Sequence, residues 1–177
     1  KPNYYITSSA LTMLENMEHR GACGCEENTG DGAGILTQLP HLLFYNIFSG
    51  LDLDLPAEGK YGVGMFFLPQ DEKAKGLCLD IIKSCAANNN FEILYNRLVP
   101  VDNAELGKSA VSSEPSIVQI FFKSKEAISN DLEKRFYFLR NQIMKKVYFL
   151  NPELADDFYI SSLSSKTIVY KGLLTAR

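Results

Sequence analysis

Residues 158–170 read FYISSLSSKTIVY. Phe158 to Leu163 and Thr167 to Tyr170 are rich in β-branched and aromatic residues, and Ser164-Ser165-Lys166 between them is turn-like. The pair reads as a hairpin, which needs antiparallel strands and argues against a purely parallel sheet. Working back from it, Asn130 or Asp131 opens a long helix reaching about Phe149. Leu132, Phe136, Leu139, Ile143 and Val147 recur on its inner face. Ser116 to Phe122 and Phe91 to Val99 read as strands. Val101 to Ser113 reads as irregular, with at most a short helical turn near Ala104.

Asp71 starts another helix through about Ala87, and Asn88-Asn89-Asn90 ends it, because Asn tolerates the left-handed conformation. Tyr61 to Leu68 is a strand with Val63, Met65 and Phe67 on one face. Gly50 to Gly59 is a loop and His41 to Phe48 a short helix. Ile35 to Leu39 is a short buried strand. At the start, Leu11, Leu14 and Met17 mark a helix over Ser8–Glu18, capped by Ser8 or Ser9 and stopped by Gly21 and Gly24. Helices therefore alternate with short strands, mainly antiparallel, in an α+β arrangement. No internal repeat or interdomain linker interrupts the pattern.

Bulk properties narrow the function. The chain has 177 residues, 46% apolar and 22% charged, which suits one soluble domain able to bury a core without staples. Its formal charge of −3 offers no electrostatic footing for nucleic acid or an acidic membrane. No apolar run approaches the roughly 20 residues that span a bilayer. The four cysteines do not form a secreted disulfide framework. Cys23 and Cys25 lack the CxxC spacing, and Cys78 and Cys85 lie two helical turns apart on one face, as core residues do. Reduced thiols and a cytoplasmic setting follow. His19 and His41 are the only histidines, too few for a His-rich metal site.

The most informative stretch is residues 18–34, EHRGACGCEENTGDGAG. It holds five glycines, so much of it is loop. GDGAG lacks the GxGxxG spacing of a dinucleotide loop, and it runs from helix to strand rather than from strand to helix. Glu26, Glu27 and Asp31 lack the spacing of a calcium loop and read as solvated acids. Cys23 or Cys25 beside His19 would suit a thiol nucleophile, although no second histidine stands near in sequence to orient it. The remaining reading is a glycine-rich backbone that approaches something closely while polar residues cap its turns.

The same string resembles the class II glutamine amidotransferase domain in its glutamate synthase form, within the N-terminal-nucleophile hydrolases. The resemblance is carried by Glu18-His19-Arg20-Gly21-Ala22, by Thr29-Gly30-Asp31-Gly32-Ala33-Gly34-Ile35-Leu36, and by Pro40-His41. Further strings follow in order: Val63 to Pro69, Val99-Pro100-Val101-Asp102 with Leu106-Gly107, and Phe158 to Leu174. Other class II amidotransferases resemble a shorter link between the Arg-Gly and Asp-x-Ala-Gly strings. The resemblance implies a partial four-layer αββα sandwich with mainly antiparallel sheets, and one incomplete amidotransferase domain over residues 1–177.

It also implies glutamine as substrate, cleaved to glutamate and ammonia, with the ammonia passed to 2-oxoglutarate. FMN and an iron–sulfur cluster belong to other domains of such a synthase, with no cofactor in this segment. The partners implied are those remaining domains and a small electron-donating subunit or ferredoxin. In the family an N-terminal cysteine is the nucleophile and an Asn-Gly pair holds the oxyanion. Position 1 here is Lys, the first cysteine is Cys23, and no Asn precedes a Gly. The 177 residues alone are therefore expected to be inactive, and to leave a sheet edge exposed or filled by a partner. Arg20, Gly21, Asp31 and Gly32 are the expected active-site scaffold. Arg20 has a second reading, as a cation capping the C-terminal end of the first helix. Two alternatives stand beside this one: a non-catalytic amidotransferase-like binding or assembly module, and another class II amidotransferase.

Overall fold

The structure is a computed structural model that describes residues 3–17, 32–104, 106–126 and 131–172. The described residues form two compact units. The larger spans Leu36–Val99 and Pro115–Val169. The smaller holds residues 3–17, 32–35, 100–104, 106–114 and 170–172.

The larger unit is built on a four-stranded antiparallel sheet. Its strands are β2 (Tyr61–Leu68), β3 (Phe91–Leu98), β4 (Ser116–Ser124) and β5 (Tyr159–Ser164), in the order β3-β4-β2-β5. The register runs from Tyr61 opposite Lys123 to Leu68 opposite Ser116. β3 and β5 are the edges; β3 carries an irregularity between Ile93 and Tyr95, and β5 meets a register shift between Met65 and Phe66. Such bulges twist an edge and discourage further pairing.

One face of the sheet lies under two helices, α3 (Glu72–Asn88) and α5 (Leu132–Leu150). Asp71 caps α3 by accepting from the backbone N–H groups of Lys73 and Ala74. Asn90, at φ 57°, closes the turn after it. Cys78, Ile82 and Cys85 of α3 and Phe136, Leu139, Ile143 and Val147 of α5 meet Phe66, Leu68, Ile120 and Phe122 of the sheet. The opposite face takes α2 (His41–Gly50), whose Phe44 and Phe48 stand edge-on to Phe121 at 5.0 and 4.9 Å. β2 is thus buried on both faces, not only on the Val63–Met65 side.

Two further strands, β1 (Ala33–Gln38) and β6 (Thr167–Gly172), pair with each other in a second sheet. The hairpin reading of 158–170 is corrected here. β5 and β6 follow one another through a tight turn, but β5 pairs with β2 and β6 with β1. The reason is chemical. Glu133 accepts from the hydroxyls of Ser164 and Ser165 and from the Ser165 backbone N–H. Ser164 Oγ accepts from Lys166 N and Thr167 N. Side chains therefore satisfy the turn, and the two strands diverge to different partners. The α+β sandwich class holds.

In the smaller unit α1 spans Tyr4–Asn16, four residues earlier than its periodicity suggests. Asn3, not Ser8 or Ser9, is the cap: its Oδ1 accepts from Tyr5 N at 2.9 Å. The helix ends at Asn16, with Met17 as C-cap, ahead of Gly21. A second short helix, α4 (Lys108–Ser112), lies four residues beyond the turn expected near Ala104. Asp102 Oδ1 accepts from Ala104 N and holds that position in a turn, while Gly107 takes the cap position.

Candidate active site scaffold

Of the expected scaffold residues, Gly32 is described; Arg20, Gly21 and Asp31 lie outside the described residues. Gly32 has φ +98°, a region open to glycine and strained for any residue with a Cβ. It delivers the chain into β1. Two residues on, a Cβ at Gly34 would sit 3.2 Å from the Tyr170 carbonyl oxygen. The glycines thus serve two needs: a reversed backbone at Gly32 and a close strand contact at Gly34. At the other end of the ribbon Leu39 N donates to Lys166 O at 2.9 Å. The glycine-rich string and the Thr167–Gly172 string, far apart in sequence, become neighbours in this way.

The string Val99-Pro100-Val101-Asp102 leaves the sheet where Val99 N donates to Ile117 O at 2.9 Å. In the smaller unit it turns on Asp102 and on the bond from Leu106 N to Asn103 O. Asn103 Nδ2 donates to Glu114 Oε2 at 2.6 Å and ties the two ends of this loop together. The smaller unit therefore gathers the end of the glycine string, the loop 100–114 and the end of β6. These are segments that the sequence singled out separately.

One pair escaped notice in the sequence. His41 Nδ1 lies 3.0 Å from the Tyr61 hydroxyl, and the Tyr61 ring stacks on Phe121. Tyr61 is only 1% exposed. Burial, with a smaller contribution from Glu58, pushes its phenol up to about 12. It is therefore a neutral phenol whose O–H can donate to His41 Nδ1. The only advance signal was His41 directly after Pro40, at the start of α2; nothing marked Tyr61 as its partner.

Cys78 and Cys85 are free and buried. Burial, assisted by Asp157, pushes the Cys78 thiol up to about 11. Burial also raises Cys85, against the opposing pull of Lys146. Neither thiol is suited to be a thiolate nucleophile or cluster ligand at neutral pH. They do not fit an iron–sulfur cluster. Among the described residues no cluster of His, Cys, Asp and Glu could hold a metal ion, and no helix is long and apolar enough to cross a membrane.

The family profile described as "Glutamine amidotransferases class-II" matches residues 1–177. The chain belongs to the class II glutamine amidotransferase family. Among its relatives, "Ferredoxin-dependent glutamate synthase" of Pyropia yezoensis is 40% identical over 97% of this chain and 11% of the relative. "Ferredoxin-dependent glutamate synthase 2" of Synechocystis sp. is 37% identical over 98% of this chain and 11% of the relative. "Glutamate synthase [NADPH] large chain" of Bacillus subtilis is 36% identical over 99% of this chain and 11% of the relative. The chain thus spans about a tenth of the length of these relatives. In this class II amidotransferase chain, Gly32 and Gly34 set the course of the backbone into and along β1.

Proposed function

We propose that these residues form part of the glutaminase domain of a glutamate synthase. The domain hydrolyses the glutamine side-chain amide, and the ammonia passes to 2-oxoglutarate within the same polypeptide. The observation that carries this reading is the end-to-end family match, with 35–40% identity to glutamate synthases over nearly the whole chain. The pairing of β1 with β6 supports it, since it juxtaposes two strings that the resemblance marks independently.

Within this reading the 177 residues supply framework. Cys78 and Cys85 are buried thiols, Cys23 and Cys25 belong to the glycine-rich string of the sequence, and no Asn-Gly dipeptide is present to hold an oxyanion. Arg20 shapes the cavity of a nucleophile supplied by other residues of the domain. The relatives' names include ferredoxin, NADH and NADPH. The electron donor is accordingly chosen elsewhere in the protein, as are the flavin and the iron–sulfur cluster.

The test is ammonia release from glutamine by the full polypeptide that carries this sequence. Glutaminase activity is expected there and none from residues 1–177 alone. A full polypeptide that leaves glutamine intact, or a segment that turns it over at enzyme-like rates, refutes the reading. In the full polypeptide Arg20→Ala should lower kcat/KM about tenfold or more, with the melting temperature unchanged. A lower melting temperature with unchanged kcat/KM would return Arg20 to helix capping.

A further inference from the structure

Phe136, Leu139, Ile143 and Val147 of α5 are buried against the sheet. At 100° per residue, the line on the opposite side of the helix runs Lys134, Phe138, Asn141, Lys145, Phe149. That crest is about 22 Å long at 1.5 Å per residue. The outward line of a surface helix is ordinarily polar. Here Phe138 is 51% exposed and Phe149 77%, and Tyr137, 64% exposed, stands edge-on to Phe138 at 6.0 Å. Large rings alternate with ammonium groups along the face turned away from the core.

The charges on this face are one-sided. α5 carries Lys134, Arg135, Arg140, Lys145 and Lys146, and one acid, Glu133. Glu133 is occupied by Ser164 and Ser165. Arg135 is drawn to Ser124, to the Asn89 carbonyl and to Glu126, and Arg140 to the Ile160 carbonyl. Lys146 leans to Ser84. On the crest itself, Lys134 lies 3.9 Å from exposed Asp131, a weak screened pair. Lys145 has no carboxylate at salt-bridge distance among the described residues.

We infer that the crest of α5 is a docking face for another segment of the same polypeptide, one that sets carboxylates between apolar side chains. This rests on the reading that the chain is part of a long synthase, and the named relatives are about nine times longer than the stretch matched. Charge complementarity selects an acidic occupant. A second copy packed crest to crest would bring two further lysines and no crest carboxylate to answer them, which disfavours it. A lipid surface needs a continuous apolar stripe, and the apolar stripe of α5 is already buried in the core.

The test places a photoreactive benzoylphenylalanine at position 138 of the full polypeptide and maps the crosslinked peptide by mass spectrometry. The expected product is an intramolecular crosslink to a segment bearing Asp or Glu beside apolar residues. The pair Lys134→Glu and Lys145→Glu should cut its yield about tenfold, with an unchanged circular dichroism spectrum. A crosslink to a separate polypeptide or to lipid, no crosslink at all, or a yield indifferent to the charge reversal overturns the proposal. Ammonia release by the same preparation reports the glutaminase reading separately. A protein that hydrolyses glutamine without forming the crosslink would sink the docking face alone.

Discussion

Gly62, on β2, lies directly against the Phe136 ring of α5. A Cβ built there lies 2.3 Å from Phe136 Cε2, 2.4 Å from Phe136 Cζ and 3.0 Å from the Ser164 carbonyl oxygen. Carbon atoms pack at about 3.5–4.0 Å, so the ring must retreat by roughly 1.2 Å. It has little room to do so. Phe136 is fully buried, stacked on Phe91 at 4.7 Å and edge-on to Phe122 at 6.3 Å. Phe91 is itself covered by the Arg135 guanidinium, 4.7 Å above its ring. Relief therefore comes from shifting α5, which loosens Leu139, Ile143 and Val147 as well.

Overpacking of this kind costs about 1–3 kcal/mol, and the lower entropy of an unfolded chain with Ala offsets roughly 0.4–1 of it. Gly62→Ala should therefore destabilise by about 1–2 kcal/mol, read as a lower urea midpoint at constant m-value. Phe136→Leu should be costly alone but should shorten the clash. The double variant is then more stable than the sum of the singles, by roughly 0.5–2 kcal/mol. Gly76 is the internal control. It lies inside α3 with no atom within 4 Å of a built Cβ, so Gly76→Ala should gain about 0.5–1 kcal/mol from helix propensity. A Gly62→Ala midpoint equal to the parent's, or strictly additive singles, would refute the account of Gly62 as a packing aperture for Phe136.

Glu133→Gln replaces a charged acceptor of three bonds with a neutral amide, and should cost about 1–3 kcal/mol in the same unfolding assay. Tyr61 has a folded-state pKa of about 12 against an ordinary 10, so the folded state retains a proton that the unfolded state loses. Its contribution is fully present below pH 10 and lost as pH rises towards 12, and Tyr61→Phe should flatten that part of the stability–pH curve. Cys78 and Cys85 should resist alkylation at pH 8 in the folded protein and react on unfolding, as followed by mass spectrometry of their peptides.

Much of the larger unit could be read in advance because its signals are local and mutually consistent. β2 has the boundaries its composition suggests, Asp71 caps α3 as expected, and four of the five inward residues assigned to α5 are fully buried. The failures lie where a side chain answers a backbone group that sequence periodicity does not weigh. Asn3 starts α1 ahead of its apolar repeat, because Tyr4, Tyr5 and Ile6 are exposed and carry no pattern. Asp102 holds Ala104 in a turn and moves the helical segment to Lys108. Glu133 reaches from α5 into the Ser164–Ser165 turn, a long-range contact that no window around the turn contains.

The candidate site divides along the same line. The need for glycine in the signature string was legible, and Gly32 and Gly34 show two separate backbone reasons for it. What the string could not convey is that its strand would lie against the Thr167–Gly172 segment. That pairing is a matter of topology: a serine turn whose donors are satisfied by side chains leaves β6 free to join β1 instead of folding back on β5. If the turn were to lose Glu133, the expected consequence would reach beyond lost stability. Ser164 and Ser165 would seek backbone acceptors, the β5–β6 connection would slacken, and the contact of Tyr170 with Gly34 would be among the first to open. Amide exchange in Glu133→Gln should therefore quicken along β1 and β6 more than along β2 and β4; uniform acceleration across both sheets would contradict this chain of dependence.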